Sequence, residues 1–484
     1  MGKKFDLKEM HTFRIVVLVL LFAFYFGIAL FDGPVWCVDS PSYTEMNISR
    51  EPVYPLFLDL FRRLFAKFGL TGQLYGQDAF LFGVIMAQSL LWVYAAYKLG
   101  VYVARKLGIS LGYLAVFFQV AVSALNRFFA NRGSMYSECI MTEALAMPLF
   151  VIATVYIWQL FEEFSALSVT RVFLMTVLIA SIRKQMLIVM LTWIAAAFII
   201  FILDGRTREA KNFAICLVLA IVAFVGINEL DKAYNYAIRG VYVGHTGNAK
   251  GAVDTLMYTA EEDTKALFDK YEDSEEFPQL KTVYSKIYDT CVQNGYVIEA
   301  SPDFVSRESL GITKSDWLAI ASHYADGYDH IGFDVLQPYC DEYVYEHFPD
   351  LDFVHHMLKE DQVESEIMKV LLKYDLKKIF TPEGNAVRFI FVANVLKAFI
   401  ISNANTDPRI LVKASAAIYI LFAAIFIFAI VKDKRRVVMM SLVVILGLAI
   451  NCFITGSMIF PQPRYMCYSM GLFYLTLCCG ILSQ

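Results

Sequence analysis

Apolar runs of 17 residues and more recur along this chain, the first at 15–31. At 1.5 Å of rise per helical residue, such runs match a hydrocarbon core roughly 30 Å thick. Inside a bilayer each backbone polar group must find its partner within the protein, which leaves helices or closed barrels. Runs this long are helical, so the sequence predicts an all-α polytopic membrane protein. Composition agrees, with 58 % apolar and 18 % charged residues, where soluble domains average about 45–50 % and about 25 %. About ten transmembrane helices are expected, near 15–31, 77–98, 110–126, 140–161, 171–182, 185–204, 212–229, 409–431, 437–456 and 466–483.

Charge divides the chain into blocks. The stretch 231–385 holds 14 basic and 29 acidic residues, a net of −15, while the remainder carries +11. An acidic soluble block of that kind argues against nucleic acid, whose phosphates need a basic surface. The block reads as mostly helical, with helices expected at 260–271 and 361–378 between Gly and Pro punctuation. Three regions follow: an N-terminal membrane module over 1–230 with a loop at 33–76, the acidic domain over 231–385, and C-terminal helices over 386–484. Lysines and arginines near 105–106, 206–211 and 432–436 all fall on one side if ten spans are crossed with both termini cytoplasmic. The 33–76 loop, the acidic domain and the 461–464 loop then share the extracytoplasmic side of a plasma (inner) membrane.

Two segments are apolar yet charged. Residues 386–402 contain Arg388 and Lys397, and an eleventh crossing there would invert the basic cluster at 432–436. An amphipathic helix lying in the interface is preferred for it, and likewise for 56–68, where Arg62, Arg63 and Lys67 oppose an apolar stripe. Arg183 and Lys184 interrupt some 34 apolar residues. A continuous span would bury both charges at several kcal/mol, so a break near 181–185 is expected.

Candidate chemistry gathers where loops meet spans. Asp39, in the 33–76 loop, sits where a general base for a lipid-borne substrate would sit, although solvated loop acids are common there. Glu138 and Thr142 are read as i,i+4 neighbours at the start of a span, with Glu143 about 7 Å deeper. An ionisable side chain at that depth is a functional candidate or half of an ion pair, with Arg132 or Arg183 as the partner. Arg464 and Tyr465 precede the last span. Together with Arg50, Arg132, Arg183 and Lys184 this makes five cations at one lip, enough to clamp a phosphate if they converge. Other matches are weak. Asp350, Asp352, His355 and His356 resemble a metal site in composition only, the 244–251 loop lacks a P-loop pattern, and Asn47 opens a formal glycosylation sequon. Cys291 and Cys340 are able to pair in an oxidising compartment. The remaining apolar cysteines, Cys139 among them, act as small hydrophobes.

At these same residues the sequence resembles the GT-C superfamily of multi-spanning glycosyltransferases, which includes protein O-mannosyltransferases and the RgtABCD-like and aminoarabinose transferases. The likeness covers roughly 14–205 and 378–470. It rests on VDSPSYTE at 38–45, REPVYPL at 50–56, SECIMTEAL at 137–145, ASIRKQML at 180–187 and PQPRY at 461–465. Relatives often have a pair of adjacent acids in the first loop, whereas Asp39 stands alone, and the 231–385 block has no counterpart. The resemblance implies a sugar donor on a polyprenyl phosphate, an extracytoplasmic acceptor (glycan, lipid or protein), membrane lipids as surroundings and inversion at the anomeric carbon. Asp39 would be the general base, and Arg183, Lys184 and Arg464 would hold the donor phosphate. Arg50, Tyr54, Arg132, Glu138, Glu143 and Tyr465 would support them. No cofactor is firmly implied, and a divalent metal is possible. Two other classes stay open: a flippase or transporter for lipid-linked oligosaccharides, and a receptor whose acidic domain binds a ligand.

Overall fold

The computed structural model describes residues 7–128, 133–204, 207–247, 249–310, 314–404 and 408–483. Nearly all regular structure is helical. The strands among the described residues form one small antiparallel hairpin, β1 (Gln73–Leu74) with β2 (Gln77–Asp78). Two compact units form, one of Met1–Gly244, Ile400–Asn451 and Pro463–Gln484, the other of His245–Phe399 and Cys452–Gln462.

The first unit opens with α1 (Leu7–Asp32), α2 (Ser40–Thr44), α3 (Val53–Lys67), α4 (Ala79–Leu107) and α5 (Ile109–Phe128). It continues with α6 (Glu143–Leu160), α7 (Ala166–Ala180), α8 (Leu187–Asp204) and α9 (Thr207–Arg239). Helix α4 packs on α1, α5 and α6, and α7 packs on α6 and α9. Small residues let α4 and α5 approach closely: a Cβ on Gly112 would stand 2.9 Å from the carbonyl oxygen of Gly100 and 2.6 Å from Ala104 Cβ, the role small residues serve between membrane helices. Helix α6 is buried along almost its whole length. The indole nitrogens at its flanks are satisfied, Trp92 donating to the Ala144 carbonyl at 2.9 Å and Trp158 to the Met440 carbonyl at 3.2 Å.

The second unit contains α10 (Lys250–Tyr258), α11 (Leu280–Gln293), α12 (Lys314–Asp329), α13 (Gln337–His347) and α14 (Phe353–Lys378). Its core is aromatic, with Phe268 stacked on Tyr284 at 4.0 Å and Tyr258 against Tyr324 at 4.8 Å. A π-helical turn at His330–Leu336 joins α12 to α13. Residues 262–271, expected as α-helix, form a 3-10 helix, and the 361–378 helix starts earlier, at Phe353, where Asp352 caps it by accepting from the His355 amide at 2.9 Å. The chain ends with α15 (Asn385–Ala404), α16 (Pro408–Val431), α17 (Arg435–Met458), α18 (Pro463–Met466) and α19 (Met470–Leu482).

Among the described residues, ten helical segments are long and apolar enough to cross a membrane, in keeping with a multi-pass membrane protein. Nine correspond to expected spans, and the tenth does not. Helix α7, expected as a span, has only 15 residues, whereas the segment Pro382–Ala404, expected to lie in the interface, meets the length and hydropathy of a crossing. Arg388, which counted against a crossing, lies in its first turns and donates to the carbonyls of Ile379 and Thr381, capping the chain that leads in. Helix α7 is short but still runs the length of α6, since the chain reaches Arg183 beside Glu143 at the start of α6. The expected break follows directly: α7 ends at Ala180, a 3-10 turn occupies Lys184–Met186, and α8 begins at Leu187.

Candidate functional site

The site is assembled from three helix junctions of the first unit: the loop between α1 and α3, the entry to α6 with the α7–α8 turn, and the entry to α18. Gly33 makes the first junction possible. Its φ is +70°, and a Cβ there would lie 2.4 Å from the Tyr75 ring. Any other residue would be both strained and blocked. The chain then runs beside 138–140, Val35 donating its amide to the Glu138 carbonyl at 2.9 Å and accepting from Ile140 at 3.0 Å. Ser40 ties the same segments, its hydroxyl donating to the Ile140 carbonyl at 2.8 Å.

Asp39 emerges from this brace between two arginines. Arg50 Nη2 donates to Oδ1 at 2.8 Å, and Arg464 Nη1 donates to Oδ2 at 2.7 Å. Burial pushes the Asp39 carboxyl up, but the Arg464 and Arg50 charges outweigh it and hold it below the ordinary carboxylate value. Arg50 also donates to Ser42 Oγ at 2.7 Å and to the Tyr43 hydroxyl at 3.3 Å, and its guanidinium lies 4.5 Å from the centre of the Tyr43 ring. The Tyr43 hydroxyl stands 3.5 Å from Thr142 Oγ1. Thr142 accepts from Arg183 Nη1 at 3.2 Å, and the same nitrogen forms an ion pair with Glu143, which is 1 % exposed. Arg183 lies 4.7 Å from the centre of the Tyr465 ring. Arg464 lies 4.9 Å from that ring and donates to its hydroxyl at 2.8 Å.

These contacts close a ring: Asp39, Arg50, Tyr43, Thr142, Glu143, Arg183, Tyr465, Arg464 and back to Asp39. Three guanidiniums face two carboxylates, so the ring carries one positive charge in excess. Both Asp39 oxygens face guanidiniums, an arrangement suited to recruiting an anion rather than a divalent cation. Among the described residues no three His, Cys, Asp or Glu side chains group closely enough to hold a metal.

The other expected residues take different places. Lys184 points to Asp231 on α9, Nζ to Oδ2 at 3.3 Å, and its backbone amide donates to Glu51 at 2.8 Å. Beside it, Gln185 donates to Asn451 Oδ1 and to the Tyr465 carbonyl, each at 3.0 Å, which fixes the turn against the chain entering α18. Tyr54 is fully buried beneath the ring, edge-on to Tyr43 at 5.1 Å and donating to Gln88 at 2.9 Å. Glu138 departs from expectation. Residues 137–142 are not helical, α6 starting only at Glu143, so Glu138 and Thr142 do not share a helix face. Glu138 turns instead to Arg127, 3.5 Å away, which also pairs with Asp32. Burial lifts the Glu138 carboxyl to about 7 against the pull of Arg127. Arg132 lies outside the described residues. Sequence reasoning missed Tyr43, Asp231 and Gln185 as participants, since each is ordinary in its local sequence and gains its role only from distant partners.

The weaker motifs resolve into local structure. His355 pairs with its capping Asp352, His356 with Asp341 at 2.7 Å, and the Gly247 amide in the 244–251 loop donates to Asp361. Cys291 and Cys340 are buried thiols with no disulfide between them. A cavity of about 310 Å³ is lined by Glu162 and Arg171 among others, and one of about 450 Å³ in the second unit by Asp341 and Glu360 among others; neither is lined by a ring residue. No protein-family model matches the chain, and no characterised protein or solved structure matches it either.

Proposed function

We propose that the chain is an inverting glycosyltransferase that moves a sugar from a polyprenyl phosphate to an acceptor hydroxyl on the extracytoplasmic side of a bacterial plasma membrane. The observation that carries this reading is the closed ring of two carboxylates and three guanidiniums at the mouth of a helix bundle. Its charge fits the donor. A sugar linked through a single phosphate is a monoanion, matching the one positive charge in excess. When the acceptor hydroxyl attacks the anomeric carbon, the C–O bond to phosphate breaks and its electron pair leaves with the phosphate, now a dianion. The hydroxyl proton passes to Asp39, which becomes neutral, so the ring's charge rises to match.

In the resting ring Asp39 is a weak base, held by two arginines. A donor phosphate that draws Arg464 away removes one of them and raises its basicity at the moment it is needed. Arg183, kept in place by Glu143 and Tyr465, completes the phosphate contacts, while Lys184, paired with Asp231, lies to the flank. A phosphate held this way needs no proton to leave.

The test is turnover by the purified chain in nanodiscs with a panel of polyprenyl-phosphate and polyprenyl-pyrophosphate sugars. Release of free polyprenyl phosphate from a monophosphate donor supports the reading. Silence across the panel, with lipid-linked sugar moving between leaflets instead, identifies a flippase.

A further inference from the structure

Two thiols meet beside the ring. Cys37, half-exposed, lies two residues before Asp39, and Cys139, buried, lies three residues before Thr142. They are 102 positions apart in sequence, yet Cys37 Sγ lies 3.8 Å from the Val35 carbonyl oxygen, which accepts from the amide of Ile140, the residue after Cys139, at 3.0 Å. The backbones that carry them are already joined. Val35 and Cys139 form an isolated parallel bridge, Ser40 Oγ accepts from the Cys37 amide at 2.7 Å, and the same hydroxyl donates to the Ile140 carbonyl at 2.8 Å. Cys139 Sγ also contacts Ser134 Oγ at 3.5 Å and donates to the Met135 carbonyl at 3.3 Å. A disulfide needs its two segments held side by side, and the backbone bridge and the Ser40 contacts hold these two so.

We propose that Cys37 and Cys139 are a reversible disulfide site that fastens the loop bearing Asp39 to the segment leading into α6. The oxidant is a disulfide, either a small molecule or the exposed disulfide of an oxidoreductase. The Cys37 thiolate attacks one sulfur of that donor, forming a mixed disulfide and releasing the first donor thiolate. Cys139 then attacks Cys37 Sγ, forms the internal bond and expels the second donor thiol, which takes up the Cys139 proton. Two protein thiols are oxidised and one donor disulfide is reduced to two thiols. The order follows from exposure, because only Cys37 is accessible to the donor. The neighbouring Cys37 thiol together with burial keeps the Cys139 thiol protonated until the mixed disulfide is in place.

The experiment treats the full chain in nanodiscs with oxidised glutathione, alkylates it under denaturing conditions and maps cysteines by mass spectrometry. The expected result is one cross-linked peptide pair containing Cys37 and Cys139 in the majority of chains, reversed by a reductant. In Cys37→Ser, the half-exposed partner being the safer one to replace, Cys139 should remain alkylatable after the same treatment. Cys37 and Cys139 both recovered as thiols, or as separate glutathione adducts, would overturn the proposal. So would Cys139 bonded to a different cysteine, or its loss from alkylation in Cys37→Ser. None of these readouts depends on the proposed transferase activity.

Discussion

Arg464 reaches Asp39 across 425 positions of sequence, its Nη1 2.7 Å from Oδ2, while Arg50 takes the other carboxylate oxygen at 2.8 Å. A carboxylate shared by two guanidiniums is a stable ion-pair group. It is also a latent base, released when one guanidinium finds a better anion. Arg183 and Lys184 are neighbours in sequence but differ here: Arg183 belongs to the ring, and Lys184 is neutralised by Asp231 at 3.3 Å.

That difference ranks the cations. Arg464→Gln should lower the transfer rate by about 10²–10³-fold, the range seen when one donor to a developing oxyanion is removed. Lys184→Gln should cost less than about tenfold, because its charge is already balanced and lies to one side. Steady-state turnover of both variants on the same donor checks the order. Equal losses would place Lys184 on the phosphate.

Glu143 and Arg183 are expected to dominate local stability. Glu143→Gln leaves a mostly buried guanidinium without its counter-charge and should destabilise the chain by about 3–5 kcal/mol. Replacing both, as in Glu143→Gln with Arg183→Gln, should recover part of that loss. Thermal unfolding in detergent measures the two, and a double variant weaker than the single one would contradict the pairing.

Glu138 supplies a pH dependence of definite sign. Its folded carboxyl titrates near 7, above the ordinary value of 4.5. The folded chain therefore holds this proton more tightly than the unfolded chain. The resulting stability is fully present below pH 4.5 and is lost as pH rises through 7, by an amount on the order of 3 kcal/mol. Asp39 acts in the opposite sense: its folded pKa is depressed, so its contribution is present above its unfolded value and lost only in stronger acid. Glu138→Gln should flatten the unfolding profile between pH 5 and 7, and an unchanged slope would show that the buried carboxyl is relieved by another partner.

How much of this was legible in sequence depends on the range of the contact. Helix α1 and the break at 181–186 follow from apolar length and from two adjacent charges that would be costly to bury, so local reading finds them. Helix α15 over 385–404 is as long and apolar as a crossing, which its composition already announced. Arg388 looked like a polar face but spends its donors capping the preceding turn, which only the fold reveals. Glu138 was misread because helical spacing was carried five residues too far toward the N-terminus, into a segment pinned by Val35. Asp39, Arg464 and Glu143 were found as separate candidates. The closure that joins them runs through Tyr43, whose local sequence gives no sign of Arg50, and through Tyr465, found beside Arg464 but not as the contact to Arg183.

The central claim concerns Asp39 as the base, and one comparison tests it most directly: transfer and donor binding by Asp39→Asn against wild type in nanodiscs. The substitution removes one negative charge from the ring and keeps its shape. Donor phosphate should bind as tightly as in wild type or more tightly, while transfer falls by about 10²–10⁴-fold, the worth of a positioned general base. Turnover near the wild-type rate with donor still bound would contradict the assignment and leave Asp39 as a brace for Arg50 and Arg464.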